Sequence, residues 1–259
     1  MHRRSLLKYM SMGTAGAVFS FSFPSLQAAI ASETEAEWGY GMDDGPQLWS
    51  ELSPDFSICT AGQQQSPINL QGAISSDLVE VQIGYQEIPL RLVNNGHTIQ
   101  VNADPGNPIT LDNQTFDLLQ FHFHSPSEHS HNGQSYSMEV HFVHRNERGE
   151  LAVLGVFMQE GQKNEALQLI WDAIPAEAGP EQAIAEVKVQ LNQLFPVDRS
   201  FYRYFGSLTT PPCSEVVNWI VYQQPIEVSR EQVEKFVEIF PGNARPIQPL
   251  NRRFLLQSD

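Results

Sequence analysis

Between Val79 and Val156 the chain is cut into short runs that alternate or stay apolar for four to nine residues: Val79 to Tyr85, Leu90 to Val93, Thr98 to Val101, Phe116 to His124, Ser137 to His144 and Leu151 to Met158. Turn signals separate them, among them Asn95-Gly96, Pro105-Gly106-Asn107-Pro108, Asn132-Gly133 and Arg148-Gly149. Runs this short, with this punctuation, cannot build a helical bundle and predict one large, mostly antiparallel central sheet. Helical spacing is confined to later pieces, Asn164 to Ile174, Glu181 to Leu194 and Ser229 to Phe240, the last opened by a capping box of Ser229 and Gln232. Between the second and third, Val216 to Tyr222 reads as another strand. The expected class is therefore mainly β (α+β): a single domain with a few peripheral helices, which 259 residues can supply with one core. The aromatic, Gly- and Pro-rich stretch from Trp38 to Asp55 reads as an irregular arm packed on that body.

The first 31 residues have a different character. Arg3, Arg4 and Lys8 precede an apolar, small-residue run from Gly13 to Phe23, and Ala29-Ile30-Ala31 offers a small-x-small cleavage site. Residues 1–31 read as a signal peptide of the twin-arginine type, which leaves 32–259 as the working domain. The apolar run is shorter than the roughly 20 residues a membrane span needs, so no integral membrane segment is expected in the mature chain. Cleavage before Ser32 removes three cations and no acids, taking the formal charge from -15 to -18 (-15 - 3). A surface that acidic argues against nucleic acid as a partner. In an exported chain, the two cysteines, Cys59 and Cys213, read better as one disulfide than as two thiols.

The chemistry is concentrated in two strands. In Gln120-Phe121-His122-Phe123-His124 the period of a strand sends Gln120, His122 and His124 to one face and both phenylalanines to the other. Glu139-Val140-His141-Phe142-Val143 repeats the device, so a third imidazole can join the first two. Three neutral histidines with a fourth position left to water describe a catalytic zinc site rather than a structural one. Gln120 and Glu139, two residues before His122 and His141 on the same faces, are the natural outer-shell acceptors that fix the ring tautomers.

Several strings, in order, resemble the motifs of the alpha-class carbonic anhydrases: Trp38-Gly39-Tyr40-Gly41, Gln65 to Asn69, Asn94-Asn95-Gly96-His97, Gln120 to His124, Ser127-Glu128-His129, Glu139 to His141 and Ser207 to Cys213. The resemblance runs from Trp38 to about Arg253 and implies that family's fold, with a Cys59 to Cys213 disulfide as in many exported members. It implies Zn2+ on His122, His124 and His141, with zinc-bound hydroxide attacking carbon dioxide to give bicarbonate and a proton. By the same likeness, Thr209 accepts a hydrogen bond from the hydroxide, and Glu128 receives the Thr209 proton. His97 matches the proton shuttle, with Tyr40, Asn95 and Gln100 ordering the intervening water. Val143, Val153, Leu208 and Trp219 match the apolar wall on which the gas rests. Gln100 stands where the best-known fast members carry Asn.

The likeness also implies an exported enzyme, in a periplasm, a thylakoid lumen or the medium, and is compatible with a homodimer. His129 reads as structural, His144 as facing away from the ligand face, and His131 as a loop residue. Two rival readings are a cupin-type oxygenase, in which Glu128 would bind the metal beside His122 and His124, and a noncatalytic binding module on the same fold.

Overall fold

The computed structural model describes residues 36–258. The expected signal peptide lies outside them. Fifteen strands form within that range: β1 (Asn69–Leu70), β2 (Ile74–Ser76), β3 (Gln82–Ile83), β4 (Glu87–Asn94), β5 (Ile99–Asn102), β6 (Pro108–Leu111), β7 (Gln114–His124), β8 (Ser130–His131), β9 (Met138–Arg145), β10 (Leu151–Glu160), β11 (Gln182–Gln190), β12 (Phe201–Gly206), β13 (Val217–Tyr222), β14 (Ile226–Val228) and β15 (Leu256–Ser258). Thirteen of them make one sheet whose main path is β11-β4-β5-β7-β9-β10-β13-β12-β15-β2, while β1 and β8 pair separately. Pairing within the large sheet is antiparallel except where β10 meets β13 and β14 and where β15 meets β2. The mostly antiparallel sheet read from the sequence is the one observed.

Alternation along the central strands divides the molecule. Phe121, Phe123, Val140, Phe142, Leu154 and Ile220 point into the main core, which two helices close over. Helix Glu165–Trp171 contributes Ala166, Leu167, Ile170 and Trp171, and its N-cap Asn164 accepts a hydrogen bond from the Leu167 backbone. Helix Arg230–Ile239 adds Val233 and Phe236, and its predicted capping box is formed. The Trp171 ring meets Phe123 edge-on at 4.7 Å, clamping the backing of the histidine strand. That leaves the opposite face of β7 and β9 free for polar side chains.

Two expectations need correction. The segment from Glu181 to Leu194 is not a helix: it forms strand β11 and then a short 3-10 turn, Leu191–Leu194. It pairs antiparallel with β4, so it satisfies the hydrogen-bonding edge that β4 would otherwise expose. A register shift between Ile184 and Lys188 makes the three-residue step that imitates helical spacing, because it brings Ile184, Val187 and Val189 all onto the core. Likewise, the run from Val79 to Tyr85 pairs only over Gln82–Ile83.

The arm from Trp38 to Asp55 is irregular, as expected, apart from a short helix, Trp49–Leu52, and the start of a 3-10 turn, Pro54–Phe56. It packs Trp38 and Tyr40 on a second small core of Trp49, Phe56, Cys59 and Cys213. Cys59 and Cys213 are joined in a disulfide across 154 positions of sequence. Closing a loop that long should stabilise the fold, so replacing both cysteines by alanine is expected to cost about 2–5 kcal/mol. Thermal unfolding of the variant beside the parent checks this, and coincident transitions would contradict it. No helix of the described residues is long and apolar enough to cross a membrane.

Candidate metal centre

Strand register brings the three histidines together. His122 on β7 lies directly opposite His141 on β9, and His124 lies opposite Glu139. Ring centroids are 5.0 Å apart for His122 and His124, 5.4 Å for His122 and His141, and 4.6 Å for His124 and His141. Each ring has one nitrogen fixed by an acceptor. His122 Nδ1 donates to Gln120 Oε1 at 2.8 Å, His124 Nδ1 to the Asn243 carbonyl at 2.8 Å, and His141 Nε2 to Glu139 Oε1 at 2.9 Å. The remaining nitrogens are Nε2 of His122, Nε2 of His124 and Nδ1 of His141, and a ligand atom from each ring lies within 4.8 Å of the other two.

The donor set fits a zinc ion. Burial holds the His122 and His124 imidazoles below their ordinary pKa, His122 well below, so both rings offer lone pairs at neutral pH. His124 Nε2 is buried with no hydrogen-bond partner, an arrangement that is costly unless something else takes the lone pair. Three imidazoles, no thiolate and fixed tautomers are a ligand set suited to zinc. Glu128 does not complete this group: its Oε2 lies 3.5 Å from His124 Nε2 and 3.8 Å from His141 Nδ1, but it is not among the three mutually close ligands. That favours the histidine triad over the cupin-type set.

Behind the triad, Glu139 is a hub. One oxygen accepts from His141 Nε2 at 2.9 Å and from His129 Nδ1 at 2.8 Å; the other accepts from the His129 backbone N–H at 2.8 Å. Burial would raise this carboxyl, but the adjoining His129 and His141 outweigh burial and hold it well below the usual carboxylate range. His129, Glu139 and His141 also lie close enough to suggest a second metal group, but their facing atoms are already spent on one another. From His129 the chain continues to the Tyr204 hydroxyl at 2.6 Å, which is 2.9 Å from Ser66 Oγ. Gly155 on β10 makes room for the hub: a Cβ there would sit 2.9 Å from Glu139 Oε1.

The residues expected to form an apolar wall are placed by register. Val153 on β10 pairs with Val143 on β9 and with Trp219 on β13, so the three form one row beside His141. The Trp219 ring meets His141 edge-on at 4.8 Å, and its Nε1 donates to the Ser207 carbonyl at 3.0 Å. Leu208, half-buried, follows Ser207 and is anchored by its N–H on the Ser214 carbonyl. Thr209 is buried, and Glu128 accepts the Arg245 backbone N–H through Oε1 at 2.8 Å while Oε2 has no partner. No hydrogen bond joins Thr209 to Glu128 in this structure.

His97 projects from a turn built by Asn94, Asn95 and Gly96. Asn95 Oδ1 accepts the backbone N–H groups of His97 and Thr98, and Gly96 takes φ +86, which favours glycine. The His97 ring stacks on Trp38 at 3.8 Å and 7°; burial lowers its pKa, and Asp44 opposes the shift. Tyr40 is half-buried in the arm, with its phenol pushed well up by burial and by Glu128. Gln100 on β5 lies directly across from His122. His144 faces the core as expected, with Nε2 2.5 Å from the Tyr85 hydroxyl and burial pushing it down to about 3. His131 is not a loop residue: it belongs to β8, with Nε2 3.1 Å from the Tyr202 hydroxyl.

Sequence reasoning missed two residues that hold the site together. Asn243 fixes His124 through its carbonyl, takes the Ser125 N–H on Oδ1, and donates through Nδ2 to the carbonyls of His97 and Phe123. Arg245 is buried, with its guanidinium on Gln65 Oε1 and on the carbonyls of Ser66 and Cys59. Both sit in a Pro-rich stretch without periodicity. The available signal was two polar residues in a segment that has no strand or helix to secure it.

The family model for eukaryotic-type carbonic anhydrases matches residues 44–259. A carbonic anhydrase of Nostoc sp. is 45% identical over all of this chain and 98% of its own length. One from Pectobacterium carotovorum is 43% identical over 87% of this chain and 93% of its own. Among solved structures, the alpha-carbonic anhydrase of Thermovibrio ammonificans, in complex with the inhibitor sulfanilamide, superposes with a TM-score of 0.83. It is 44% identical and covers 85% of this chain and 99% of its own.

Proposed function

The chain belongs to the alpha-class carbonic anhydrases, and from that premise we propose that it interconverts carbon dioxide and bicarbonate with zinc held by His122, His124 and His141. The observation that carries this reading is the convergence of three imidazole nitrogens, each left free because the other nitrogen of its ring is bonded to Gln120, Asn243 or Glu139. When bound, zinc supplies a Lewis acid that makes water a nucleophile at neutral pH, the behaviour for which carbonic anhydrases are the standard example.

The protein's own groups do the rest. The row of Val143, Val153 and Trp219, with Leu208, gives an uncharged gas an apolar surface beside His141 and gives bicarbonate no hydrogen bond to keep it there. Thr209 is the group that accepts a hydrogen bond from the nucleophile, and Glu128, whose Oε2 is a buried acceptor without a partner, is the group that accepts a hydrogen bond from the Thr209 hydroxyl. This pair turns the oxygen lone pair toward the gas. The proton released per turnover leaves through water ordered by Tyr40, Asn95 and Gln100 to His97, which follows the exposed Asn95 and Gly96 in its turn and carries an imidazole that can take up and release a proton, with burial lowering its pKa. The disulfide fits an exported protein, and we assign the enzyme to a periplasm, a thylakoid lumen or the medium.

The test is a split between two constants. For His97→Ala, stopped-flow hydration should show kcat lowered by about tenfold or more with kcat/KM unchanged, because transfer to solvent is slowed while attack is not. Imidazole buffer should restore the lost turnover. Equal losses in both constants, or no rescue, would contradict the assignment of His97.

A further inference from the structure

Gln100 faces a metal ligand directly across β5 and β7, opposite His122, and two positions on Asn102 lies opposite Gln120. An amide side chain can present either its oxygen or its NH2, so what it offers the cleft depends on what holds its other end. Here the other end belongs to a chain of polar groups that runs out of the cleft to the surface. Gln100 Nε2 donates to Asn102 Oδ1 at 2.7 Å, and Asn102 Nδ2 donates to Glu181 Oε2 at 2.5 Å. Glu181 accepts Arg91 Nε through Oε1 at 3.0 Å, and Arg91 Nη1 reaches Asp104 at 2.6 Å.

The chain has a direction, and Glu181 sets it. An ionised carboxylate only accepts and a guanidinium only donates, so the Arg91 pair leaves Glu181 as an acceptor for Asn102. Asn102 must then present its NH2 outward and its oxygen inward. An inward oxygen requires the NH2 of Gln100, and Gln100 Oε1 is what remains for the cleft. We propose that Asn102, Glu181 and Arg91 are positioning residues for proton transfer, which fix Gln100 as an acceptor beside the metal site through a relay of one-way hydrogen bonds. This rests on the reading of Gln100 as part of the water path to His97. The contacts span β4, β5 and Glu181, the residue immediately before β11.

Glu181→Gln tests it at a partly exposed side chain. Glutamine can accept or donate, so the direction is lost with little change in size. In the zinc-loaded enzyme, kcat for hydration should fall by about two- to tenfold, the range expected for one oriented hydrogen bond, with kcat/KM kept. In a Gln100→Ala background the same change should add nothing, since the two residues act through one relay. Independently of activity, the Gln100 side-chain NH2 protons should exchange faster with solvent in Glu181→Gln than in the parent, read by 15N-labelled NMR. Unchanged kcat, an additive effect in the Gln100→Ala background, or unchanged exchange would each overturn the relay. Failure of the zinc reading would appear differently, as an inactive parent.

Discussion

His122→Ala should give a folded chain that binds zinc poorly and hydrates carbon dioxide several orders of magnitude more slowly than the parent. The variant removes one of three nitrogens and leaves the other two where strand register holds them. A site left with two imidazoles has lost both affinity and the fixed facial geometry that makes water reactive. The fold should survive, because His122 points to the cleft while the residues that hold β7 in the core, Phe121 and Phe123, are untouched. Gln120 loses its partner but remains at the cleft, where water can satisfy it. Zinc content and stopped-flow hydration, with circular dichroism as the folding control, check the result. A variant that keeps its zinc and its rate would exclude His122 as a ligand.

Glu139→Gln should be nearly as damaging and for a different reason. The parent carboxylate accepts three hydrogen bonds: two from His129 and one from His141 Nε2. Glutamine brings one acceptor oxygen and an NH2 into a place where every neighbour is a donor. The least costly repair moves the His141 proton from Nε2 to Nδ1, the nitrogen the metal needs. Zinc affinity should therefore fall by about 10–100-fold. The site is fully buried, so at least one donor is left unpaired and stability should drop by about 1–3 kcal/mol. Zinc competition and thermal unfolding separate the two effects. Intact zinc affinity in a destabilised variant would reduce Glu139 to a structural role.

The site was far more legible in the sequence than the segments around it, and the reason is physical. A strand repeats every two residues, so Gln120, His122 and His124 declare a shared face without any knowledge of tertiary structure, and Glu139 and His141 do the same. What period cannot declare is pairing: the row of Val143, Val153 and Trp219 exists only because β9, β10 and β13 are neighbours in that register. Glu181 to Leu194 imitates a helix in sequence because a bulge shifts the phase of a strand by one residue and produces helical spacing. Asn243 and Arg245 escaped because their importance comes from carbonyls and amides far away in sequence, at Phe123, Cys59 and Ser66, which no local pattern carries. The bond between Thr209 and Glu128 that family likeness implies is not made here; Glu128 Oε2 lies 3.5 Å from His124 Nε2 and 3.8 Å from His141 Nδ1 without a hydrogen-bond partner.

The most direct test of the central claim is stopped-flow hydration of carbon dioxide by the purified, zinc-loaded protein, with metal content determined on the same sample. The account predicts about one zinc per chain, consistent with one triad, and hydration that stops when chelator removes the metal and returns when zinc is restored. A folded protein that holds one zinc and does not hydrate carbon dioxide would contradict it.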